Sequence, residues 1–400
     1  MLDLQIAVPD RSEIPASKVF DFDIAYDPLL KGDLHDGLLT LTKAAPEIFY
    51  TPRYGGHWVV QSHEAIFDVT HNHDIFSSNH GGRAMLPIGV DPPEHTDYRR
   101  VLLQAFSPKN VNAMMPLVRE MTTELIDKVI NRGSCEFVTE IAEPLPVIVF
   151  MKMLGLPLDQ MAPLRKLIID ALEEGDPKER EGIFDRQLEI IDPVIHARQA
   201  EPQNDVISHI LSADLGGRTA TFDEVQRYMI LLTNAGLDTV VNAMSFDALH
   251  FARDQELQAQ VRADPSMIPD VIEELLRRYA VSSVARRVTR DIDYRGVPLK
   301  KGDRLHLLIP AANLDDSVYD EPARIVLRRK APPVTFGTGV HRCLGSHLAR
   351  LELRVLLAEW FARIPTFHVD PSDEPKMHAG LVYTVDRLPL VWDATDLKHA

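Results

Sequence analysis

Residues 336–345 read Phe-Gly-Thr-Gly-Val-His-Arg-Cys-Leu-Gly and contain Cys343, one of only two cysteines in the chain. This spacing predicts that Cys343 lies at the N-terminus of a helix, because apolar residues then recur on one helix face, at Leu344, Leu348, Leu351 and Val355. The N–H groups and the positive dipole end of a helix N-terminus favour a thiolate, which is the form of cysteine that binds metals. The sequence therefore predicts a thiolate metal ligand at Cys343.

Two glycines precede this cysteine. Gly337 and Gly339 allow the backbone to turn tightly and to lie close to a flat group. The ten residues resemble the haem-ligand signature of the cytochromes P450, Phe-Gly-x-Gly-x-His/Arg-x-Cys-x-Gly, at all its fixed positions. The alternative is a buried structural cysteine beside a turn, which is the commoner role of a lone cysteine. The resemblance implies that Cys343 binds the iron of haem b, and that Phe336, Gly337 and Gly345 contact this cofactor.

The composition is that of an ordinary globular protein. The chain has 400 residues and a mass of 45.0 kDa, with 45% hydrophobic and 26% charged residues. No Ser/Gly-rich linker or long charge run divides it. We therefore expect a single continuous domain over residues 1–400.

Charge and hydropathy limit the possible partners and compartments. The net charge of -16 and the pI near 5.4 argue against nucleic-acid binding, which requires a basic face. The N-terminus lacks a basic segment followed by an apolar run, so no signal peptide is predicted. The most apolar stretch, Pro144–Leu158, is shorter than a membrane span and contains Lys152. We expect a soluble, cytoplasmic protein without a disulfide framework, in which Cys135 is a structural thiol.

Two segments have the pattern of β-hairpins. Short runs of apolar and β-branched residues surround glycines within Phe49–Ser62 and again within Ile292–Ile309. Most of the remaining chain has helical periodicity. The sequence therefore predicts a mainly α protein with minor β-sheet. The resemblance implies the cytochrome P450 fold, a single large helical domain with small antiparallel sheets.

One long helix is predicted near the middle of the chain. Thr221 and Glu224 form the pattern of a capping box at its start, and no proline interrupts it before about Arg253. Its centre reads Ala235-Gly-Leu-Asp-Thr239, and a glycine such as Gly236 costs about 1 kcal/mol in a helix interior relative to alanine. This cost indicates a functional reason for the glycine, and we expect it to permit the close approach of a cofactor.

The same segment resembles the oxygen-binding motif of the cytochromes P450, Ala/Gly-Gly-x-Asp/Glu-Thr. Asp238 and Thr239 could instead form a polar stripe on a solvated helix, but Met229–Leu232 and Val240–Phe246 are largely apolar on all sides. The Thr239 hydroxyl can bond an earlier carbonyl and open a local gap in the helix. The resemblance implies that Asp238 and Thr239 are catalytic, supplying protons and holding water, and that Ala235 lies against the haem.

Four side chains are candidates for binding the haem propionates. His95 and Arg99 are four residues apart, on one face of a predicted helix. Alone this is a weak signal, because His/Arg pairs are common on protein surfaces. The resemblance assigns this pair, and also Arg286 and His341, to the propionates. Carboxylates need cationic or N–H-donating partners of this kind.

A further pair is predicted to be structural. Glu274 and Arg277 form a Glu-x-x-Arg pattern, which in isolation indicates no more than a surface ion pair. The resemblance implies a buried pair that is locked by a third cation and fixes the loop behind the haem. We expect Arg324 to be that third cation.

From about Leu231 to Trp392 the sequence is similar to the camphor-hydroxylase branch of the family, in segments such as Glu-Glu-Leu-Leu-Arg-Arg and Leu-Pro-Leu-Val-Trp. Arg83 stands where that branch has a substrate-binding tyrosine, so camphor is not the expected substrate. We expect a mostly aliphatic pocket for a compact terpenoid or norisoprenoid. Asn234 could bond a substrate oxygen or be satisfied within the protein, and Arg83 could point to solvent or cap the entrance. The predicted pocket residues are Arg83, Met85, Leu231, Asn234, Val281, Ser282, Leu381 and Val382.

The resemblance implies monooxygenation, with O2 as oxidant and an external electron donor. No segment resembles a flavin or iron-sulfur domain, so the implied partner is a [2Fe-2S] ferredoxin with an NADH-dependent reductase. An acidic ferredoxin needs a local basic patch on this acidic chain, and scattered solubilising charge is the alternative. The predicted patch consists of Arg99, Arg100, Lys330, Arg342 and Arg350.

Two rival functions are a peroxygenase that uses H2O2 directly and a haem-based sensor. A peroxygenase is expected to lack an acid-alcohol pair, whereas this chain has Asp238 and Thr239. A sensor is expected to bring a regulatory module, and no such module is visible in the sequence. The sequence therefore favours the monooxygenase.

Overall fold

The computed structural model describes residues 13–81, 83–174 and 176–399. Over these residues it is mainly helical, with short strands in four small sheets, so the predicted fold class is confirmed. The chain forms two compact units. Of the described residues, the first unit comprises those from 13 to 80, Met267–Cys343 and Pro375–Asp386. The second comprises the described residues of 81–266, Leu344–Glu374 and residues 387–399. The single domain expected over residues 1–400 stays a prediction.

Helices contribute most of the regular structure of the described residues. None of the described helices combines the length and the apolar character that a membrane span requires. The α-helices are α1 Leu34–Ala44, α2 His63–His71, α3 Glu94–Ala105, α4 Pro108–Ala113, α5 Met115–Val129, α6 Pro144–Leu154, α7 Met161–Glu173, α8 Pro177–Ala200, α9 Val206–Ser212, α10 Phe222–Gly236, α11 Thr239–Arg253, α12 Gln255–Ala263, α13 Ile268–Arg278, α14 Ile309–Ala312 and α15 Ser346–Arg363. The strands are β1 Ile48–Thr51, β2 His57–Val60, β3 Phe76–Ser77, β4 Ser134–Glu136, β5 Val284–Val288, β6 Ile292–Tyr294, β7 Val297–Leu299, β8 Arg304–Leu307, β9 Phe367–Val369, β10 Lys376–His378, β11 Thr384–Arg387 and β12 Pro389–Trp392.

The first unit contains a five-stranded sheet with the strand order β1-β2-β8-β5-β3. β1 and β2 form the hairpin predicted within Phe49–Ser62, with Ile48 opposite Val60. β8 is parallel to β2 and antiparallel to β5. Gly56 has a φ of +82°, and a Cβ atom there would lie 1.8 Å from the Tyr50 hydroxyl, so the turn between β1 and β2 requires glycine.

The second predicted hairpin, within Ile292–Ile309, is correct in part. β6 and β7 pair antiparallel and are joined at Arg295 and Gly296, whose φ angles of +53° and +72° suit a tight two-residue turn. β8 does not extend this hairpin, because it joins the five-stranded sheet between β2 and β5.

The second unit is built mainly from helices, with α5 packed along α15 and a small sheet of strand order β4-β12-β9. Cys135 lies on β4 opposite Leu390 and is buried. Burial raises the pKa of the Cys135 thiol, so it stays neutral in the folded protein. This environment fits the structural role predicted for Cys135.

The single long helix predicted to reach Arg253 is interrupted. Its start is as predicted, because the N–H of Glu224 donates to the Thr221 hydroxyl (3.2 Å) and the N–H of Thr221 donates to the Glu224 carboxylate (2.8 Å). α10 and α11 are nevertheless separate helices, divided at Leu237 and Asp238. The break falls within the segment that resembles the oxygen-binding motif.

Three buried histidines of the first unit have lowered pKa values. Burial, followed by the charge of Arg278, lowers the pKa of His35 to about 4. Burial, followed by Arg304, lowers the pKa of His57 to about 4, and burial beside His57 lowers that of His306 to about 3. All three rings are therefore neutral in the folded protein at neutral pH.

We predict that His306 makes the fold less stable in acid. An unfolded histidine takes up a proton near pH 6.5, whereas folded His306 does so only near 3, so unfolding becomes easier as the pH falls between these values. Relative to His306→Gln, which takes up no proton, the wild type should lose about 1.4 kcal/mol of unfolding free energy per pH unit below about pH 6. Denaturant titrations at pH 7, 6 and 5 measure this difference, and parallel pH profiles for the two proteins would contradict it.

Candidate functional site

The cysteine loop, residues 336–343, is closed by its own backbone. The N–H of Cys343 donates to the carbonyl of Phe336 (2.7 Å), and the N–H of Gly337 donates to that of Val334 (2.7 Å). Gly337 has a φ of +66°, which residues with a side chain rarely adopt, and among the described residues other than its chain neighbours no atom lies within 4 Å of the place of a Cβ atom. The loop therefore turns back on itself and presents bare backbone at Gly337.

Gly339 is required by a neighbouring helix. Its φ is +68°, and a Cβ atom there would lie 2.2 Å from the carbonyl oxygen of Thr70 on α2. The Thr70 hydroxyl also bonds the Thr338 hydroxyl. α2 therefore supports the cysteine loop by direct packing, which no pattern in the sequence predicted.

The helix after the cysteine starts later than predicted. Its N-cap is Gly345 and its first residue is Ser346, so Cys343 lies two residues before the cap and not at the helix N-terminus itself. Cys343 is exposed, so its sulfur is accessible to a ligand. The dipole argument therefore applies to a position just outside α15.

A buried ion pair supports the cysteine loop. Arg277 donates to both carboxylate oxygens of Glu274 (2.9 and 2.8 Å), and the two side chains are only 1% and 5% exposed. Arg277 also donates to the carbonyl of Asn313 (2.8 Å). The Asn313 side chain accepts from the N–H of Val334 and donates to the Thr335 hydroxyl, both at 2.8 Å. Asn313 therefore connects the ion pair with the residues that lead into the cysteine loop.

The third cation of this cluster is Arg329, and the prediction of Arg324 is wrong. Arg329 Nε donates to Glu274 (2.7 Å) from a side chain that is 10% exposed. The Arg324 guanidinium is 68% exposed and pairs with Glu321 (3.0 Å). Only the backbone carbonyl of Arg324 takes part, accepting from Arg277 (3.1 Å). The two arginines are five positions apart, and their local sequence contains nothing that distinguishes the buried one.

Two of the predicted propionate ligands lie in the first unit. Arg286 is buried on β5, where its Nη1 donates to the carbonyl of Ala285 (2.7 Å). His341 is half-buried and ends the helical turn that precedes Cys343. A guanidinium and an imidazole are suitable donors for carboxylates. Their contacts with propionates stay predictions.

Asp238 and Thr239 lie where α10 ends and α11 begins. The Thr239 hydroxyl donates to the carbonyl of Ala235 (3.3 Å), as expected for a local opening of the helix. Asn242, which no sequence pattern marked, donates through Nδ2 to Asp238 Oδ2 and to the Asp238 carbonyl, both at 3.1 Å. The helix break therefore presents an acid, oriented by an amide, beside an alcohol.

Gly236 has a steric reason that the sequence did not predict. A Cβ atom on Gly236 would lie 2.5, 2.6 and 3.0 Å from three ring atoms of Phe150 on α6. The space that a side chain would need is therefore occupied by this ring. The glycine therefore accommodates Phe150, and the expected approach of a cofactor stays a prediction.

Glu143, the N-cap residue of α6, is an acidic neighbour of the break. Burial raises the pKa of the Glu143 carboxyl, Arg165 lowers it through an ion pair (3.2 Å), and the negative charge of Asp238 raises it again. The net effect is a raised pKa. Glu143 therefore holds a proton more readily than an ordinary glutamate does.

His95 and Arg99 lie on α3, which starts after the prolines as predicted. His95 is 2% exposed, and Arg99 is half-buried. Tyr98, on the same helix, donates to Glu224 on α10 (2.9 Å), and its carbonyl accepts from the Tyr228 hydroxyl (2.8 Å). The predicted propionate pair therefore stands on a helix that is fixed to α10, and its contact with a propionate stays a prediction.

Arg83 and Asn234, both predicted for the pocket, donate hydrogen bonds to other protein groups. Arg83 donates to Asp223 (2.8 Å) and Gln226 (2.7 Å) at the start of α10. The guanidinium of Arg83 is therefore bound to α10, and its place in the pocket stays a prediction. Asn234 donates to Gln187 (2.7 Å), so the structure supports the interpretation that Asn234 is satisfied within the protein.

Most other predicted pocket residues lie in the first unit, where two segments meet. Ser282 and Val382 form an antiparallel bridge, and the N–H of Tyr383 donates to the carbonyl of Val281 (2.7 Å). Leu381 is 44% exposed beside them. The predicted residues that are half-buried in the second unit are Met85 and Leu231.

The residues of the predicted basic patch belong to both units. Arg100 is 61% exposed and pairs with Asp97 (3.1 Å). Such a surface pair contributes about 0–1 kcal/mol, so a partner carboxylate can replace Asp97. Arg350 donates to the carbonyl of Ser346 (3.2 Å). The remaining members are the half-buried Arg99 and the exposed Lys330 and Arg342.

The donor groups of the first unit fit haem b. Cys343 offers one thiolate for the iron, and Arg286 and His341 offer N–H donors for two carboxylates. The bare backbone at Gly337 suits a flat group lying against the loop. These residues would therefore hold the cofactor by thiolate ligation and by hydrogen bonds to its carboxylates.

Comparisons with known proteins agree with this chemistry. The family model described as Cytochrome P450 matches residues 266–384. The probable cytochrome P450 127A1 of Sinorhizobium fredii is 32% identical over 403 residues, which cover 96% of this chain and 97% of that protein. The crystal structures of CYP101J2 and CYP101C1 are 35% and 32% identical, with TM-scores of 0.88 and 0.87. They match 96% of this chain and 98% and 99% of their own chains.

The fold and the cysteine loop define a haem-thiolate oxidoreductase. The chain belongs to the cytochrome P450 family, and CYP101J2 and CYP101C1, two of its structural neighbours, are of the camphor-type branch, so the resemblance drawn from the sequence is confirmed. It is a cytochrome P450 monooxygenase, and the cofactor of the family is haem b.

We predict that Arg329→Ala destabilises the protein and that Arg324→Ala does not. Removing Arg329 takes one of two buried cations from Glu274, which keeps Arg277, and losing a hydrogen bond to a charged group costs about 1.5–3 kcal/mol. Arg324 is the matched control, because its exposed pair with Glu321 contributes less than about 1 kcal/mol. Denaturant unfolding of both variants measures the loss, and an equal loss in the two would refute the assignment of Arg329.

Proposed function

We propose that this enzyme hydroxylates a small hydrophobic terpenoid or norisoprenoid with O2, using electrons that come from NADH through a ferredoxin. The observation that carries the proposal is the acid-alcohol pair at the helix break. Asp238 is oriented by Asn242 (3.1 Å), and the Thr239 hydroxyl is bonded to the carbonyl of Ala235 (3.3 Å). Activation of O2 consumes protons, and a positioned acid beside an alcohol is suited to deliver them.

Each predicted cofactor residue has a role in this proposal. Cys343 would bind the iron, and Phe336, Gly337, Gly345 and Ala235 would lie against the ring. When bound, haem supplies the binding and activation of O2, and a thiolate ligand favours cleavage of the O–O bond. The side chains that hold the propionates are His95, Arg99, Arg286 and His341.

The protein's own groups handle the protons. The Thr239 hydroxyl donates to the Ala235 carbonyl, which leaves its oxygen able to accept a hydrogen bond from a water. We assign Thr239 to hold that water and Asp238 to transfer the proton. Glu143, whose pKa is raised, is a second carboxyl that can hold a proton near Asp238.

The substrate is proposed to be mainly hydrocarbon. Asn234 and Arg83 are bonded to Gln187 and Asp223 (2.7 and 2.8 Å), so a substrate oxygen would have to compete with these bonds. The other pocket candidates are mostly aliphatic, and a largely apolar pocket binds compact apolar ligands best. These candidates are Met85, Leu231, Val281, Ser282, Leu381 and Val382.

The electron donor is proposed to be a [2Fe-2S] ferredoxin that is reduced by an NADH-dependent reductase in the cytoplasm. The likeness to the CYP101 enzymes supports a ferredoxin donor. Because the chain carries a net charge of -16, an acidic ferredoxin needs a local basic surface. We assign this surface to Arg99, Arg100, Lys330, Arg342 and Arg350.

Thr239→Ala is predicted to keep substrate binding but to separate NADH consumption from product formation. A substrate is first identified as the terpenoid that shifts the haem from low to high spin. Product per NADH is then measured with ferredoxin and reductase. It should fall about tenfold or more, because Asp238 would then lack the positioned water, and positioned proton transfer contributes about 10²-fold or more to such a step.

Thr233→Ala is the matched control for this experiment. Its hydroxyl donates to the carbonyl of Met229 (2.8 Å) within α10, away from the break. Product per NADH should be unchanged in this variant. Undiminished product per NADH in Thr239→Ala would exclude the assigned role. Turnover with H2O2 that matches the NADH-driven rate would favour a peroxygenase, and CO binding without any turnover would favour a sensor.

Ferredoxin-driven turnover is predicted to fall steeply with added salt. The screening length shrinks from about 10 Å at 0.1 M to about 3 Å at 1 M ionic strength, which weakens steering by the basic patch. Arg342→Gln should lower the turnover rate at low salt and reduce the salt effect, whereas Arg324→Ala, an exposed cation outside the patch, should change neither. Turnover that is indifferent to salt would contradict the patch.

A further inference from the structure

Phe150 is the residue whose ring fills the space beside Gly236. A Cβ atom at position 236 would lie 2.5 Å from Phe150 Cζ, 2.6 Å from Cε1 and 3.0 Å from Cε2. Nonbonded carbon atoms repel strongly at such distances, since their optimum is about 3.5–4.0 Å. Phe150 is 4% exposed, so its ring cannot move into solvent to make room. Position 236 therefore tolerates glycine alone while this ring is present.

The ring is held in place by its own surroundings. Phe106, which follows α3, packs against Phe150 with ring centroids 6.5 Å apart and planes inclined by 44°. α6 itself is buried on several sides, through Leu145, Val147, Met151 and Leu154. Moving α6 away from α10 would open cavities in this core, which is costly. The Phe150 ring is therefore held in place, and the backbone at Gly236 packs against it.

The backbone at this point controls the acid and the alcohol. Gly236 is the last residue of α10, and the break follows at Leu237 and Asp238. The bond from the Thr239 hydroxyl to the Ala235 carbonyl spans the break at 3.3 Å, which is long for a hydroxyl donor. A shift of a few tenths of an ångström at Gly236 would break this bond. The position of the Phe150 ring therefore affects both Asp238 and Thr239.

We propose that Phe150 is a positioning residue for the Asp238–Thr239 pair. Its ring sets the backbone of Gly236, and through that backbone it holds the helix break in the geometry that proton delivery requires. Phe150 touches neither side chain of the pair in this proposal and acts only through Gly236. The inference rests on the proposed roles of Asp238 and Thr239.

A double-mutant cycle tests the proposal in the holoenzyme. Gly236→Ala is expected to lower product per NADH about fivefold, because the new methyl group displaces the backbone, while the CO-bound reduced spectrum remains that of a haem thiolate. Phe150→Leu removes the ring atoms that the methyl group would strike. In the Gly236→Ala/Phe150→Leu protein, product per NADH should therefore recover to within about twofold of the value for Phe150→Leu alone.

Hydrogen exchange provides a readout that does not depend on activity. The N–H of Asn242 donates to the carbonyl of Asp238 (3.2 Å), so its exchange rate reports on the start of α11. Exchange should be about tenfold faster in Gly236→Ala than in the wild type, and the double mutant should return to the rate of Phe150→Leu alone. Phe137→Leu is the matched control, because this buried ring packs against Trp360 and not against Gly236. It should lower the melting temperature without changing exchange at Asn242 or product per NADH.

The outcomes separate the proposal from its rivals. An equal loss for Gly236→Ala in the wild-type and Phe150→Leu backgrounds would overturn it, because the two positions would then act independently. Equal uncoupling in Phe137→Leu and Phe150→Leu would also overturn it, since general destabilisation would be the cause. If Gly236→Ala does not fold, Phe150→Leu is compared with Phe137→Leu by hydrogen exchange: faster exchange at Asn242 in Phe150→Leu alone would support the proposal, and equal rates would overturn it. Absence of NADH-driven product in the wild type would refute the proposed function, while the exchange data would still judge Phe150.

Discussion

The buried carboxylate of Glu274 is the constraint on which the cysteine-bearing unit depends. Taking a carboxylate out of water costs several kcal/mol, so the charge is stable only when it is fully paired. Arg277 and Arg329 supply this pairing at 2.8 and 2.7 Å. Because Arg277 also bonds Asn313, and Asn313 bonds the N–H of Val334, the need to satisfy one charge fixes the residues that lead into the cysteine loop. The ion cluster thereby contributes specificity of position more than net stability.

In the second unit, a steric contact holds the helix break in position. Phe150 occupies the space beside Gly236, and this contact lies directly before the helix break. A polar contact acts at the other end of the same helix, where Glu224 accepts from Tyr98 while it also completes the capping box. Arg218 lowers the pKa of Glu224 to about 2, so the carboxylate stays charged and able to accept at any physiological pH. α10 is therefore fixed at its start by the charged Glu224 carboxylate and at its end by the packing of Phe150 against Gly236.

The sequence predicted those features that depend on neighbouring residues. The β1–β2 hairpin, the capping box at Thr221 and the Glu274–Arg277 pair are all local patterns, and each was found. The failures involve contacts between distant residues. Arg329 and Arg324 differ only in which one the folded chain buries, and Gly236 is explained by a ring that lies 86 positions earlier, at Phe150. Local spacing contains no information about such partners, so the motif could be recognised while the contact between Gly236 and Phe150 could not be predicted.

The bonds of Asn234 and Arg83 within the protein affect how a substrate would be recognised. With Asn234 bonded to Gln187 and Arg83 bonded to Asp223, substrate recognition would depend mainly on shape. An apolar pocket discriminates one methylene by only about 10- to 200-fold, and it orients a compact hydrocarbon loosely. A loosely held substrate cannot itself order the groups that deliver protons. The protein must therefore fix that geometry without help from the substrate, and the contact between Phe150 and Gly236 is a way to do so, because it is made entirely within the folded chain.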